Sequence, residues 1–284
     1  MPALWSRRAM IAFFLVGFGI PWLGWITVVL WNPPASPLKT ALFYTGDFMS
    51  VAGLVATWVA GGGAAVKALL GRAIRVRAGI GWMLFAVFIP LVWLGIPALV
   101  YGFRHGGLGP FDPAGLLTYL GPSTLLALTT GPLGEEFGWR GFFLPRLLTR
   151  YSALGASVIL GVIWSSWHYP LYATGVFSTV AGGLNFTFHV VCFAVLLTVL
   201  WAFTNGSVFW AIVLHLTVNV TPTVIGSMFP QLPPRPDGVD YLQVGILLVL
   251  TIGIVAAIGP SRLAERIRQV LAGMTNEGVA PSQA

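Results

Sequence analysis

The stretch MIAFFLVGFGIPWLGWITVVLW, residues 10–31, carries no charged side chain. A transmembrane helix needs about 20 mostly apolar residues, so this run can cross a bilayer. Arg7 and Arg8 precede it as they would a secretory signal. The run is nevertheless longer than a signal core, and no small-residue cleavage site follows it. It reads as a retained first helix. Similar runs recur at 46–66, 79–101, 116–148, 153–171, 186–204, 207–229 and 241–259. The expected fold is therefore all-α, a polytopic membrane helix bundle of about eight transmembrane helices. The run 116–148 is too long for one plain crossing and is expected to tilt or to lie partly outside the bilayer.

Composition agrees with a membrane setting. Hydrophobic residues make up 57% of the 284 positions and charged residues 8%, against roughly 25% charged in a soluble domain. Twelve Trp and nineteen Phe suit a lipid-facing surface with aromatic belts. The single Cys192 rules out an internal disulfide framework. The net charge of +7 does not mark a nucleic-acid binder, because no basic run is interleaved with aromatics. Alternating the spans instead puts twelve of the fifteen Lys and Arg residues on the side of the N-terminus. Lys39, Arg104 and Arg235 fall on the other side. The positive-inside rule then gives an N-in, C-in topology. The segments 102–115 and 230–240 read as outer connections. RLAERIRQVL, residues 262–271, reads as an amphipathic stretch of a solvated or membrane-surface tail. The chain divides into N-terminal helices (1–114), a core with the polar motifs (115–260) and a cytoplasmic tail (261–284).

Ionisable groups inside a bilayer cost about 2.5–3.5 kcal/mol each on insertion scales and usually mark function. Only eight residues of this chain are acidic, yet two stand side by side in GEEFGWRGF, residues 134–142. Glu136 and Arg140 are four apart and can pair on a helix. Glu135 points about 100° away, toward another neighbour, and is left free to act as a general base. A purely structural arrangement, with Arg140 neutralising one carboxylate, is the alternative. If the helices meeting near residues 151–152 form a hairpin, Glu135 and His168 both lie about 24 Å from the turn. A second turn at Thr204-Asn205-Gly206-Ser207 brings His215 and Asn219 toward the same depth, on one helix face. Asn219 is expected to be a buried amide there. His189 reads as a structural or interfacial histidine, and Asp47 and Asp112 as a helix entrance and a loop residue.

Two chemistries fit these groups. Glu135, His168 and His215 could ligate zinc with an open position for water, although no HExxH spacing is present. Without metal, Glu135 and His168 would activate a water, while His215 and Asn219 would donate to the oxyanion of a tetrahedral intermediate. Asn219 favours the metal-free route, since amide side chains are common oxyanion donors and uncommon zinc ligands.

EEFGWRG matches EExxxRG, WSSWH matches FxxxH with Trp164 in place of Phe, and HLTVN matches HxxxN. In this order on successive helices, the three motifs resemble the CAAX prenyl endopeptidases and bacteriocin-processing proteins of the Abi family, over about residues 115–260. The resemblance implies a glutamate-dependent intramembrane endopeptidase; no cofactor is expected, with zinc the less favoured option. Glu135 would be the base, His168 its partner, and His215 with Asn219 the oxyanion site. Glu136 and Arg140 would hold the motif helix in place. Its partners would be a peptide or protein substrate, delivered from the membrane or the cytoplasmic side, and the lipid bilayer. A bacterial inner membrane is the expected location. A non-catalytic scaffold or bacteriocin-immunity protein, or a transporter, are the rival readings; a transporter would more naturally show paired repeats.

Overall fold

The computed structural model describes residues 6–173, 179–232 and 240–275. Residues 233–239 of the expected outer connection and the polar end beyond residue 275 lie outside the described residues. The described chain is helical throughout: α1 (Arg7–Trp31), α2 (Pro37–Ala73), α3 (Ile80–Arg104), α4 (Pro122–Thr129), α5 (132–148), α6 (Ala153–Trp167), α7 (Val180–Phe203), α8 (Val208–Met228), α9 (Tyr241–Ile258) and α10 (Pro260–Met274). Among the described residues, α1, α2, α3, α7, α8 and α9 are the six helices long and apolar enough to cross a membrane. Leu23, Leu30, Trp58, Leu184 and Val249 are among their exposed large side chains, as a surface solvated by lipid tails requires.

The other two expected spans come out differently. The run 116–148 is not one tilted helix but a 3₁₀ turn, Pro113–Leu120, followed by α4 and α5. Both breaks fall at Gly-Pro pairs. Pro122 and Pro132 sit in the first turns of α4 and α5, behind the non-helical Gly121 and Gly131. Proline has no N–H to continue a helix from behind and pushes the preceding residue out of the α region. α6, with 15 residues, is about 22 Å long, short of the roughly 30 Å hydrocarbon core. α5 is little longer and is buried at every residue from Gly134 to Leu148. A helix buried all round belongs to the interior, and the motif helix is one.

Without a hydrophobic force between helices in lipid, small residues let backbones approach and polar side chains join them. α6 shows this against α7. Ser157, Gly161 and Ser165 recur every four residues and so share a face. Ser157 Oγ donates to Thr198 Oγ1 at 2.8 Å, and Ser165 and Thr187 hydroxyls meet at 2.7 Å. Between them a Cβ on Gly161 would stand 2.6 Å from Val191 Cα. α5 meets α2 in the same way, through Gly134 and Gly138. A Cβ on Gly138 would fall against the Met49 carbonyl, and Ser50 Oγ donates to Leu133 O at 2.7 Å. Gly161→Ala should therefore lower stability by about 1–3 kcal/mol, the cost of overpacking. Gly253→Ala, where nothing lies within 4 Å, should be near neutral. Thermal unfolding of both variants in one detergent checks the contrast.

The two expected turns are in place. Ser152 caps α6 by accepting from Gly155 N–H at 3.2 Å. Asn205 (φ 55°) and Gly206 (φ 72°) turn the chain into α8, which Ser207 caps. The amphipathic stretch 262–271 lies in α10, whose Leu263, Ile267 and Leu271 are buried against the bundle. Its Arg266 donates to Asn205 Oδ1 at 2.9 Å, so this part of the tail is docked on the protein.

Candidate active site

Each polar motif residue is delivered by a short stretch of helix with a stated anchor. At the start of α5, Glu135 and Glu136 occupy neighbouring faces. The turn after them widens into a π-helix over Phe137–Phe143, a distortion often found at functional sites. Glu136 Oε1 accepts from Arg140 Nη1 at 3.0 Å and meets His215 Nδ1 at 2.8 Å. Neither Glu136 nor Arg140 is exposed at all. Among the described residues Arg140 Nε and Nη2 have no hydrogen-bond partner, but the guanidinium carbon lies 4.3 Å from the centre of the Trp164 ring. The electron-rich indole face substitutes for the missing acceptors.

Glu135 faces the other way. Its Oε2 accepts two indole N–H groups, Trp164 Nε1 at 2.6 Å and Trp139 Nε1 at 3.1 Å. Among the described residues no hydrogen bond is made to Oε1. Trp164 on α6 and His168, which caps its C-terminal end, are four apart and share a face. His168 Nδ1 lies 2.9 Å from the Trp164 carbonyl oxygen. A carbonyl only accepts, so Nδ1 carries the hydrogen and the neutral ring keeps its lone pair on Nε2. In His215, the contact to the Glu136 carboxylate assigns the hydrogen to Nδ1 by the same logic. Its Nε2 can donate only when the ring is imidazolium.

One cavity of about 620 Å³ is lined by Glu135, Trp164, His168, His215 and Asn219, within the volume usual for ligand sites. The structure thus brings together the four residues singled out for chemistry, from α5, α6 and α8, with the Glu136–Arg140 pair packed behind them. Asn219 differs from expectation: it is exposed, not buried, because its turn of α8 borders the cavity rather than another helix. A Cβ on Gly131 would stand 3.0 Å from Asn219 Nδ2 and 3.8 Å from Glu135 Oε1. The absence of a side chain there lets the amide and the carboxylate oxygen approach the same space. His189 also lines the cavity, stacked on Trp93 at 5.6 Å with Nδ1 2.7 Å from Asn185 O.

Sequence reasoning missed the indole contacts. Trp139 is four residues after Glu135, which on a helix is a shared face, so that one was available. Trp164 was noted only as an aromatic substitution. Among the described residues no three His, Cys, Asp or Glu side chains group closely enough to hold a metal ion.

Residues 118–221 match the family described as Rce1-like, type II CAAX prenyl endopeptidase Rce1-like. The chain is also 28% identical over 152 residues to the protein described as CAAX prenyl protease 2 from Methanococcus maripaludis, covering 48% of this chain and 56% of the relative. It thus spans little more than half the length of that relative. The matched family is the one the three motifs resemble, and 118–221 contains Glu135, His168, His215 and Asn219.

Proposed function

From this kinship to the Rce1-like family, carried by residues 118–221, we propose that the chain is an intramembrane endopeptidase. It hydrolyses peptide bonds near the C-terminus of membrane-associated or prenylated substrates. The observation that carries the reading is the convergence of Glu135, His168, His215 and Asn219 on one cavity. A water there donates its hydrogens to two acceptors, Glu135 Oε1 and His168 Nε2, and its oxygen attacks the scissile carbonyl carbon. Glu135 takes the proton. Asn219 Nδ2 and the imidazolium form of His215 donate to the oxyanion, with Glu136 holding His215 Nδ1–H. The tetrahedral intermediate collapses as the C–N bond breaks, and the proton passes from Glu135 to the departing amine. One carboxylic acid and one amine result. The substrate enters from the bilayer or its cytoplasmic face.

Digestion of a peptide library that includes prenylated C-terminal peptides, by detergent-purified protein with mass-spectrometric readout, tests the reading. Cleavage at defined bonds that withstands a strong chelator is expected. Failure to cut any peptide would favour a scaffold that keeps the fold without turnover. Loss of cutting with chelator and its return with zinc would replace the metal-free scheme.

A further inference from the structure

Trp164 stands where the resembled motif carries Phe, and a phenyl ring has no hydrogen to donate. In this chain the indole makes three kinds of contact at once. Its Nε1–H donates to Glu135 Oε2 at 2.6 Å. Its face lies under the Arg140 guanidinium at 4.3 Å. The His215 ring meets it edge-on at 5.3 Å and 77°. Trp139 Nε1–H supplies the second donor to the same oxygen at 3.1 Å. Trp139 itself is fixed by buried aromatic neighbours on three sides, Phe13, Trp164 and Trp167.

The two carboxylate oxygens of Glu135 are therefore not equivalent. Two donors hold Oε2, whereas Oε1 takes none among the described residues. An ionised carboxylate accepts at both oxygens but cannot donate, and charge-assisted hydrogen bonds are the strong ones. Holding Oε2 at two points also fixes the torsions of a side chain that otherwise rotates freely. Proximity effects make such fixing valuable, since about 1 Å of misplacement can cost about a hundredfold in rate.

We infer that Trp164, with Trp139, is a positioning residue for the general base: the paired indole N–H groups hold Glu135 Oε2 so that Oε1 alone takes the proton from the attacking water. The inference rests on the endopeptidase reading of the same cavity. Arg140 contributes by pressing on the indole face, which links the Glu136 ion pair to the aim of Glu135 without any contact between Arg140 and substrate. The Trp in the FxxxH motif is then part of this chain's way of aiming its base, and not a neutral aromatic replacement.

The test compares wild type, Trp164→Phe, Trp139→Phe, the double variant and Glu135→Gln on one cleaved peptide of the library, with kcat and KM separated. Phe at 164 keeps a ring under Arg140 and matches the resembled motif, so folding is retained; a thermal-unfolding scan reports on it directly. Each single variant should lose roughly tenfold in kcat, in line with the loss of one charge-assisted hydrogen bond. The double variant should lose more, and KM should stay within about twofold, because neither indole N–H touches the substrate. A merely structural role would lower stability and the active fraction in step. Folded single variants with wild-type kcat, while Glu135→Gln is inactive, would overturn the positioning role and leave the endopeptidase reading standing. Should Trp164→Phe not fold, Trp139→Phe carries the same comparison. A wild type that cuts nothing, or a Glu135→Gln variant that cuts normally, would overturn both.

Discussion

Glu135→Gln is expected to leave a folded protein that no longer cleaves. Glutamine has the shape of glutamate, and its carbonyl oxygen can accept both indole N–H groups that now meet Oε2. The packing around residue 135 is therefore preserved, and the substitution removes a like charge beside Glu136. What it cannot do is take a proton from water. General acid–base catalysis contributes about 10²–10⁴-fold, so cleavage should fall by at least that factor, with the thermal unfolding midpoint close to wild type. The measurement is a time course by mass spectrometry beside an unfolding scan of the same preparation. Residual cleavage within a few fold of wild type would remove Glu135 from the role of base. An unfolded variant would show that the carboxylate is structural.

The sequence was informative wherever one physical effect acted alone. Apolar length identified the six long helices, because the bilayer sets one dimension and little else competes. Turn chemistry at Asn205-Gly206 located one hairpin, and the other, near residues 151–152, was supposed from where two apolar runs meet. The i, i+4 rule paired Glu136 with Arg140, and it would have paired Glu135 with Trp139 had an indole been considered as a donor. The reading failed where two signals overlapped. Between residues 116 and 148 the apolar count ran straight through Gly121-Pro122 and Gly131-Pro132, and hydrophobicity was given more weight than backbone chemistry. The backbone prevailed, since no degree of apolar character restores the N–H that proline lacks. Asn219 failed for another reason. Whether a residue on an apolar helix faces protein or a cavity depends on what three other helices leave empty, and no local pattern encodes that. The Trp164–Glu135 contact spans 29 positions of sequence, and its only trace was an unexplained departure from a motif.

Glu136→Gln should have the opposite profile, with stability lost first. Glu136 is fully buried and its Oε1 serves two partners, Arg140 at 3.0 Å and His215 at 2.8 Å. Removing one partner of a buried ion pair costs about 3–5 kcal/mol, because the other charge is left uncompensated. Arg140 has few alternatives, since its Nε and Nη2 already lack hydrogen-bond partners and rest on the Trp164 face. A glutamine oxygen can still accept from both partners but carries no charge to offset the guanidinium. Detergent-solubilised Glu136→Gln should therefore unfold at clearly lower temperature than Glu135→Gln. Replacing the pair together, Glu136→Met with Arg140→Met, should recover much of that stability, as apolar substitutes for buried pairs often do. Activity should not return with it. Without the carboxylate at Nδ1, His215 loses the contact that orients its ring, and its Nε2 is no longer aimed at the oxyanion. Recovery of both properties in the double variant would mean that Glu136 serves packing alone. Recovery of stability without cleavage would assign it two separate duties, one toward the fold through Arg140 and one toward the reaction through His215.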